Sequence, residues 1–131
     1  MRASCLVHRF FLVQLCLLSQ VVFTCADESW KQFKYESRHS GNVPDRQVTT
    51  PLELLGAVPL TDAVFTSPVV SGNRIFVVDG SGVATCIDAG TLRPVWTYRT
   101  RGGKANCNNV SSPLIAGRYL HFGTMAGYYY V

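Results

Sequence analysis

The sequence predicts an all-β fold: a partial β-propeller of about one and a half four-stranded antiparallel blades, preceded by a helical leader. Three observations predict it. The chain repeats itself at a shift of 45 residues, so that Ser67-Pro68-Val69-Val70-Ser71-Gly72 falls on Ser112-Pro113-Leu114-Ile115-Ala116-Gly117 without a gap. From Pro51 onward, short β-type runs alternate with turn residues. Beyond the leader, no stretch has helical periodicity. Stacked units with a period in the forties cannot bury their apolar faces alone, which is why such repeats build solenoids and propellers.

The repeat rests on position more than on count. Of the 20 pairs from 67/112 to 86/131, four are identical and five exchange one apolar residue for another. Roughly one identity is expected at average residue frequencies. The shared Ser, Pro and two Gly stand where the chain must turn, and the apolar pairs Ile75/Leu120 and Val77/Phe122 lie between them.

The first 26 residues read as a signal peptide. Arg2 and Arg9 precede an apolar run, Phe10 to Phe23, and Thr24-Cys25-Ala26 supplies small residues before a cut at Asp27. The alternative, a membrane anchor, needs about 20 predominantly apolar residues. This run is shorter and is broken by Gln14, Ser19 and Gln20, so no stable transmembrane span is expected. Lipid attachment at Cys25 is disfavoured by the bulky Phe23. The chain is therefore expected in the periplasm or outside the cell. Without Arg2 and Arg9 the charge is nearly balanced, ten Lys+Arg against eight Asp+Glu. No basic run marks a nucleic-acid surface.

Cys86 and Cys107 remain after cleavage. They read either as a disulfide, worth on the order of 3 kcal/mol for a loop of this size, or as two buried thiols. The oxidising compartment favours the disulfide.

The elements follow in order. Residues 27–50 are polar, with Trp30, Phe33 and Tyr35 as the only large apolar anchors; such a segment covers a core and does not make one. The propeller repeats occupy 51–131. Leu52 to Leu60 is expected as a strand, the outermost of a blade, and Val64 to Val70 as the next, with Pro68 at an edge, start or bulge. Arg74 to Val78 and Val83 to Ile87 flank the turn Asp79-Gly80-Ser81-Gly82, and Asp-Gly between β-branched runs is a strong hairpin signal. Asp79 reads as a turn residue. Ile75 and Val77 point to one face and Phe76 and Val78 to the other, so both faces must be covered. Asp88 to Arg93 then leads into Val95 to Arg99. These runs make one blade over 64–99, and 111–131 make an incomplete second. A plain β-sandwich also has short, regularly spaced strands, but the in-register repeat argues for the propeller.

The segment Cys86-Ile87-Asp88-Ala89-Gly90-Thr91-Leu92-Arg93-Pro94-Val95-Trp96 resembles the tryptophan-docking segment Ala-x-Asp-x-x-Thr-Gly-Lys-x-x-Trp of the PQQ-like repeat propellers. Asp88, Thr91 and Trp96 match, and Arg93 keeps the charge of Lys. Cys86 and Leu92 depart, and Leu92 stands where a Gly commonly takes a turn conformation costly to a branched residue. Ser67-Pro68-Val69-Val70 resembles the family's blade-opening strand, and Trp30-Lys31-Gln32-Phe33 with Gly41 its amino-terminal segment in exported members. The resemblance implies meander blades, a Trp96 packed between neighbours, and a turn pinned by Asp88 and Thr91. The repeat set is thus Ser67, Pro68, Asp79, Gly80, Gly82, Asp88, Thr91, Trp96, Ser112, Pro113 and Gly127.

Closed propellers need at least four blades, about 180 residues at this period. The chain is therefore expected to be an amino-terminal piece with exposed edges, its missing blades supplied by a downstream chain. Quinone-dependent dehydrogenases of the superfamily add a quinone pocket, a Ca²⁺ site of oxygen ligands, a vicinal cysteine pair and a catalytic Asp. This sequence has no adjacent cysteines and no Cys-x-x-Cys-His. His121 aligns with Phe76 and reads as an interior, hydrogen-bonded histidine, and His39 as a solvated one. Tyr128, Tyr129 and Tyr130 read as strand aromatics. The polar loop with Lys104, Asn106, Asn108 and Asn109 is the best binding candidate, because loops on a rigid scaffold carry binding residues.

Two readings follow. The first is an exported, non-catalytic propeller module that binds a protein or small molecule and needs no cofactor. The second is the amino-terminal part of a quinoprotein oxidoreductase, with PQQ and Ca²⁺ held by residues beyond Val131.

Overall fold

The computed structural model describes residues 29–101 and 109–131. The expected signal peptide, residues 1–26, and the loop residues Lys104, Asn106, Cys107 and Asn108 lie outside the described residues.

Among the described residues, seven antiparallel strands form two sheets. The first has the order β1 (Val69–Ser71), β2 (Arg74–Val78), β3 (Val83–Asp88) and β4 (Pro94–Arg99). The second has β5 (Leu114–Ala116), β6 (Tyr119–Gly123) and β7 (Tyr129–Tyr130). Each sheet is a meander, and the described residues contain no helix, which fits a partial β-propeller. The bounds of β5 and β6 are those of β1 and β2 moved by 45 residues. The pairing moves with them: Val69 faces Phe76 and Leu114 faces His121, Ser71 faces Arg74 and Ala116 faces Tyr119.

Two expected strands differ from the structure. Leu52 to Leu60 has no strand structure; it finds no neighbouring strand, and Leu54 and Leu55 are 88% and 91% exposed. The run expected over Val64 to Val70 pairs only from Val69. Pro68 has no N–H to give a ladder, and Thr66 instead donates its hydroxyl to the Val78 carbonyl at 2.9 Å. Pro113 stands in the same place before β5.

The sheets meet along an apolar seam. Val78 and Ala84 of the first sheet bury against Phe122 of the second, with Leu120 and Tyr130 packed around them. Near the first strand of each sheet, Ser67 donates its N–H to the Ser112 hydroxyl at 3.0 Å, so two repeat-equivalent serines touch. The polar segment joins the same two strands. Trp30 and Val70 exchange both backbone hydrogen bonds at 2.8 Å, and Lys31 accepts one from the Ile115 N–H at 2.7 Å.

Candidate functional site

Beyond the seam the two sheets diverge and leave a groove of about 820 Å³. Phe76, Trp96 and Tyr98 form one wall, and Leu120, Phe122 and Tyr130 the other. Trp96 tilts against Phe76 at 6.0 Å between ring centres, Tyr98 meets Tyr130 edge-on at 6.0 Å, and Tyr130 stacks on Phe122 at 5.4 Å. The Tyr130 hydroxyl accepts the Arg101 N–H at 2.9 Å. Trp96 therefore sits in the cleft between the sheets, as a wall still 41% exposed. Aromatic walls around an open groove can bind apolar or extended ligands.

The two carboxylates of the repeat set are bound into turns. Asp79 is 1% exposed. One oxygen accepts from the Ser81 N–H at 3.1 Å, the Ser81 hydroxyl at 2.8 Å and the Val83 N–H at 3.0 Å. The other accepts from the Thr61 N–H and the Thr61 hydroxyl. Burial pushes the Asp79 carboxyl up, but the donors from Thr61, Val83 and Ser81 outweigh it and hold it below the usual carboxylate range. Gly80 lies against this turn, giving its N–H to the Ala63 carbonyl at 2.7 Å. A Cβ there would come within 3.1 Å of both that oxygen and the Phe65 ring, a tight contact that a larger residue could make only if they shift by a few tenths of an ångström.

Asp88 accepts from the Gly90 N–H at 3.1 Å, the Thr91 N–H at 2.9 Å and the Thr91 hydroxyl at 3.1 Å. Its second oxygen takes the Asn73 amide at 3.1 Å and pairs with Arg74. The Thr91 hydrogen bonds hold this carboxyl, too, below its ordinary value. Leu92, in the turn, has φ 55°, the left-handed conformation that a branched side chain resists.

Other sequence candidates are placed as follows. Cys86 is a buried free thiol among the described residues, in β3; the disulfide expected with Cys107 falls on a residue outside them. Cys86 lies between Phe76 and Trp96 in the ladder, and burial pushes its thiol up. Asn109 is fully buried. Its N–H bonds the Gly80 carbonyl at 3.2 Å, and its side chain closes a turn with Ser111 through bonds of 3.2 and 3.3 Å. It is therefore a joint between sheets, with no surface for a ligand. His121 is half-buried, its Nδ1 3.2 Å from the Tyr129 hydroxyl. His39 is exposed and meets the Phe33 carbonyl at 2.9 Å. Among the described residues, no group of three or more His, Cys, Asp or Glu could hold a metal ion, and no helix is long and apolar enough to cross a membrane.

The sequence singled out Trp96 of the groove but not its partners Phe76, Tyr98, Leu120 and Phe122. The signal available was their alternation along β2, β4 and β6, which fixes a shared face.

No curated protein and no solved structure matches the chain. Residues 55–129 match the PQQ-like repeat family described as outer membrane protein assembly factor BamB. That match spans both sheets, the docking turn and the groove between them, and the chain belongs to the PQQ-like repeat family.

Proposed function

We propose that the chain is an exported, non-catalytic propeller module whose role is to bind a protein partner. The observation that carries this reading is the commitment of Asp79 and Asp88 to turns. A calcium ion takes six to eight oxygen ligands, and a general base needs a carboxylate free to reach substrate. Asp79 already accepts five donors, and Asp88 holds a turn and an arginine. These residues do not fit the Ca²⁺ of quinoprotein dehydrogenases. What the surface offers is an aromatic groove beside a strand edge. The description of the family as an assembly factor supports a protein as the partner.

Two measurements test the reading. Titration of the chain with PQQ and Ca²⁺, followed by a dye-linked dehydrogenase assay, is expected to give neither saturable quinone binding nor dye reduction. Tight quinone binding would restore the oxidoreductase reading. Expression with residues 1–26 in place is expected to yield an exported product beginning at Asp27; an unprocessed product retained in the cytoplasm would refute export.

A further inference from the structure

The two oxygens of the Asp79 carboxylate serve different parts of the chain. One holds its own hairpin turn, accepting from the Ser81 N–H, the Ser81 hydroxyl and the Val83 N–H. The other holds the arm that leads into the blade, accepting from the Thr61 N–H at 3.2 Å and from the Thr61 hydroxyl. That arm, Leu52 to Leu60, is largely exposed. It also passes over the docking turn, where a Cβ on Gly56 would lie 2.6 Å from the Leu92 side chain. A proton does not suit the two oxygens equally. On the turn side, two of the three donors are backbone N–H groups, which cannot turn round to accept. On the arm side the Thr61 hydroxyl can accept, because a hydroxyl is donor and acceptor at once. The Ser81 hydroxyl oxygen, 3.1 Å from it, is placed to take the hydrogen that Thr61 then gives.

We infer that Asp79 is a proton-operated clasp on the arm. A solvent proton taken on the arm-side oxygen reverses the hydroxyl chain Asp79–Thr61–Ser81 and leaves the Thr61 N–H without its carboxylate acceptor. The arm loosens while the turn stays closed. Charge-assisted hydrogen bonds are about twice as strong as neutral ones, and Thr61 loses two of them. The turn keeps a carbonyl acceptor for Val83 and two backbone bonds of its own, Asp79 N–H to the Val83 carbonyl at 3.1 Å and Gly82 N–H to the Asp79 carbonyl at 2.9 Å. Among the described residues, the charged groups around the clasp are Glu53 and Asp62 on the arm and Arg99 and Arg101 at the end of β4. Asp62 caps the Ala63 N–H at 2.8 Å, and Arg99 stands opposite Val83 in the ladder. Both arginines are exposed and act through solvent. From Val78 to Val83 the hairpin has no charge besides Asp79, and the residue reaching it from the second sheet is the neutral Asn109. The hydrogen bonds therefore decide which oxygen takes the proton. Donors hold the folded carboxyl below the usual carboxylate range, so the clasp is closed at neutral pH. It opens as pH falls through the folded value, below about pH 4.

Residue-resolved amide exchange on the unaltered full chain tests this, in a series from about pH 6 to pH 2 corrected for intrinsic exchange rates. Local opening shows as protection lost at some amides and kept at others. Protection of the Thr61 N–H is expected to fall about tenfold or more as Asp79 protonates. The Val83 N–H, on the other oxygen, and the Gly82 N–H, in the turn backbone, are expected to change by less than about threefold. The carboxyl-carbon signal of Asp79 should titrate with the same midpoint as the Thr61 loss. Asp79→Asn puts an amide NH₂ where the protonated oxygen would stand, so at pH 6 it should already show the acid pattern, and its Thr61 protection should no longer follow pH. Equal loss at Thr61 and Val83 overturns the proposal, and global unfolding that takes both together counts as that result. Unchanged Thr61 protection through the Asp79 titration also overturns it, as does a folded Asn variant that matches the unaltered chain at pH 6. If circular dichroism shows the Asn variant unfolded, the pH series on the unaltered chain decides alone.

Discussion

Gly82 and Gly127 turn the chain through φ 76° and 81°, and Gly72 and Gly117 through 55° and 59°. These repeat-equivalent pairs supply both glycine identities of the 45-residue shift. A Cβ at Gly127 meets nothing within 4 Å, so Gly127→Ala isolates the backbone cost of the left-handed region, about 1–2 kcal/mol. Urea unfolding is expected to read a loss of that size; an unchanged midpoint would mean the turn relaxes. Asp79 has a larger effect. Asp79→Asn replaces an acceptor surrounded by donors and should cost about 1–3 kcal/mol. Because the folded carboxyl is held below its ordinary value, its contribution is complete above about pH 4 and is lost as pH falls through the folded pKa. The native urea midpoint should therefore fall between pH 5 and pH 3, and less steeply in the Asn variant. These turns were readable from sequence because their bonds span two to four residues. The Thr61 arm on Asp79 spans 18, and no local pattern announces it.

At the scale of elements, strands were legible where both neighbours in the ladder are near in sequence. β2, β3 and β4 follow one another through short turns, so alternation and Asp-Gly placed them. Leu52 to Leu60 has comparable apolar content but finds no partner strand, and propensity without a ladder does not make a strand. The groove depends on two strand sets meeting across the repeat, so only its Trp96 was visible beforehand. The same geometry ranks its residues energetically. Phe122 is buried in the seam, and Phe122→Ala should cost about 3–5 kcal/mol. Trp96 stays 41% exposed, so Trp96→Ala should cost roughly half as much despite the larger ring. Chemical denaturation of both variants checks the order, and a reversed order would mean that the groove is closed in solution.

Across the whole molecule, the two sheets are held by a seam, a serine contact, the Asn109 joint and a strut. The strut is Trp30-Lys31, which reaches β1 through the two Trp30–Val70 bonds and β5 through the Lys31 carbonyl. It makes the otherwise polar segment part of the fold, with Trp30 also tilted against Tyr35 at 5.2 Å. Its backbone share can be separated from its ring. Trp30→Ala removes the indole and leaves the N–H, whereas Trp30→Pro removes both the ring and the donor to Val70. The chain has two tryptophans, so either variant leaves Trp96 as the single tryptophan, which red-edge excitation reads selectively from the groove wall. Trp30→Pro is expected to unfold at lower urea than Trp30→Ala, by about 0.5–1.5 kcal/mol for the lost bond, with the Trp96 transition shifting as much as the circular-dichroism transition. Equal midpoints for the two variants would show that the backbone pairing carries no load. A shift in circular dichroism alone would show that the strut does not reach the groove.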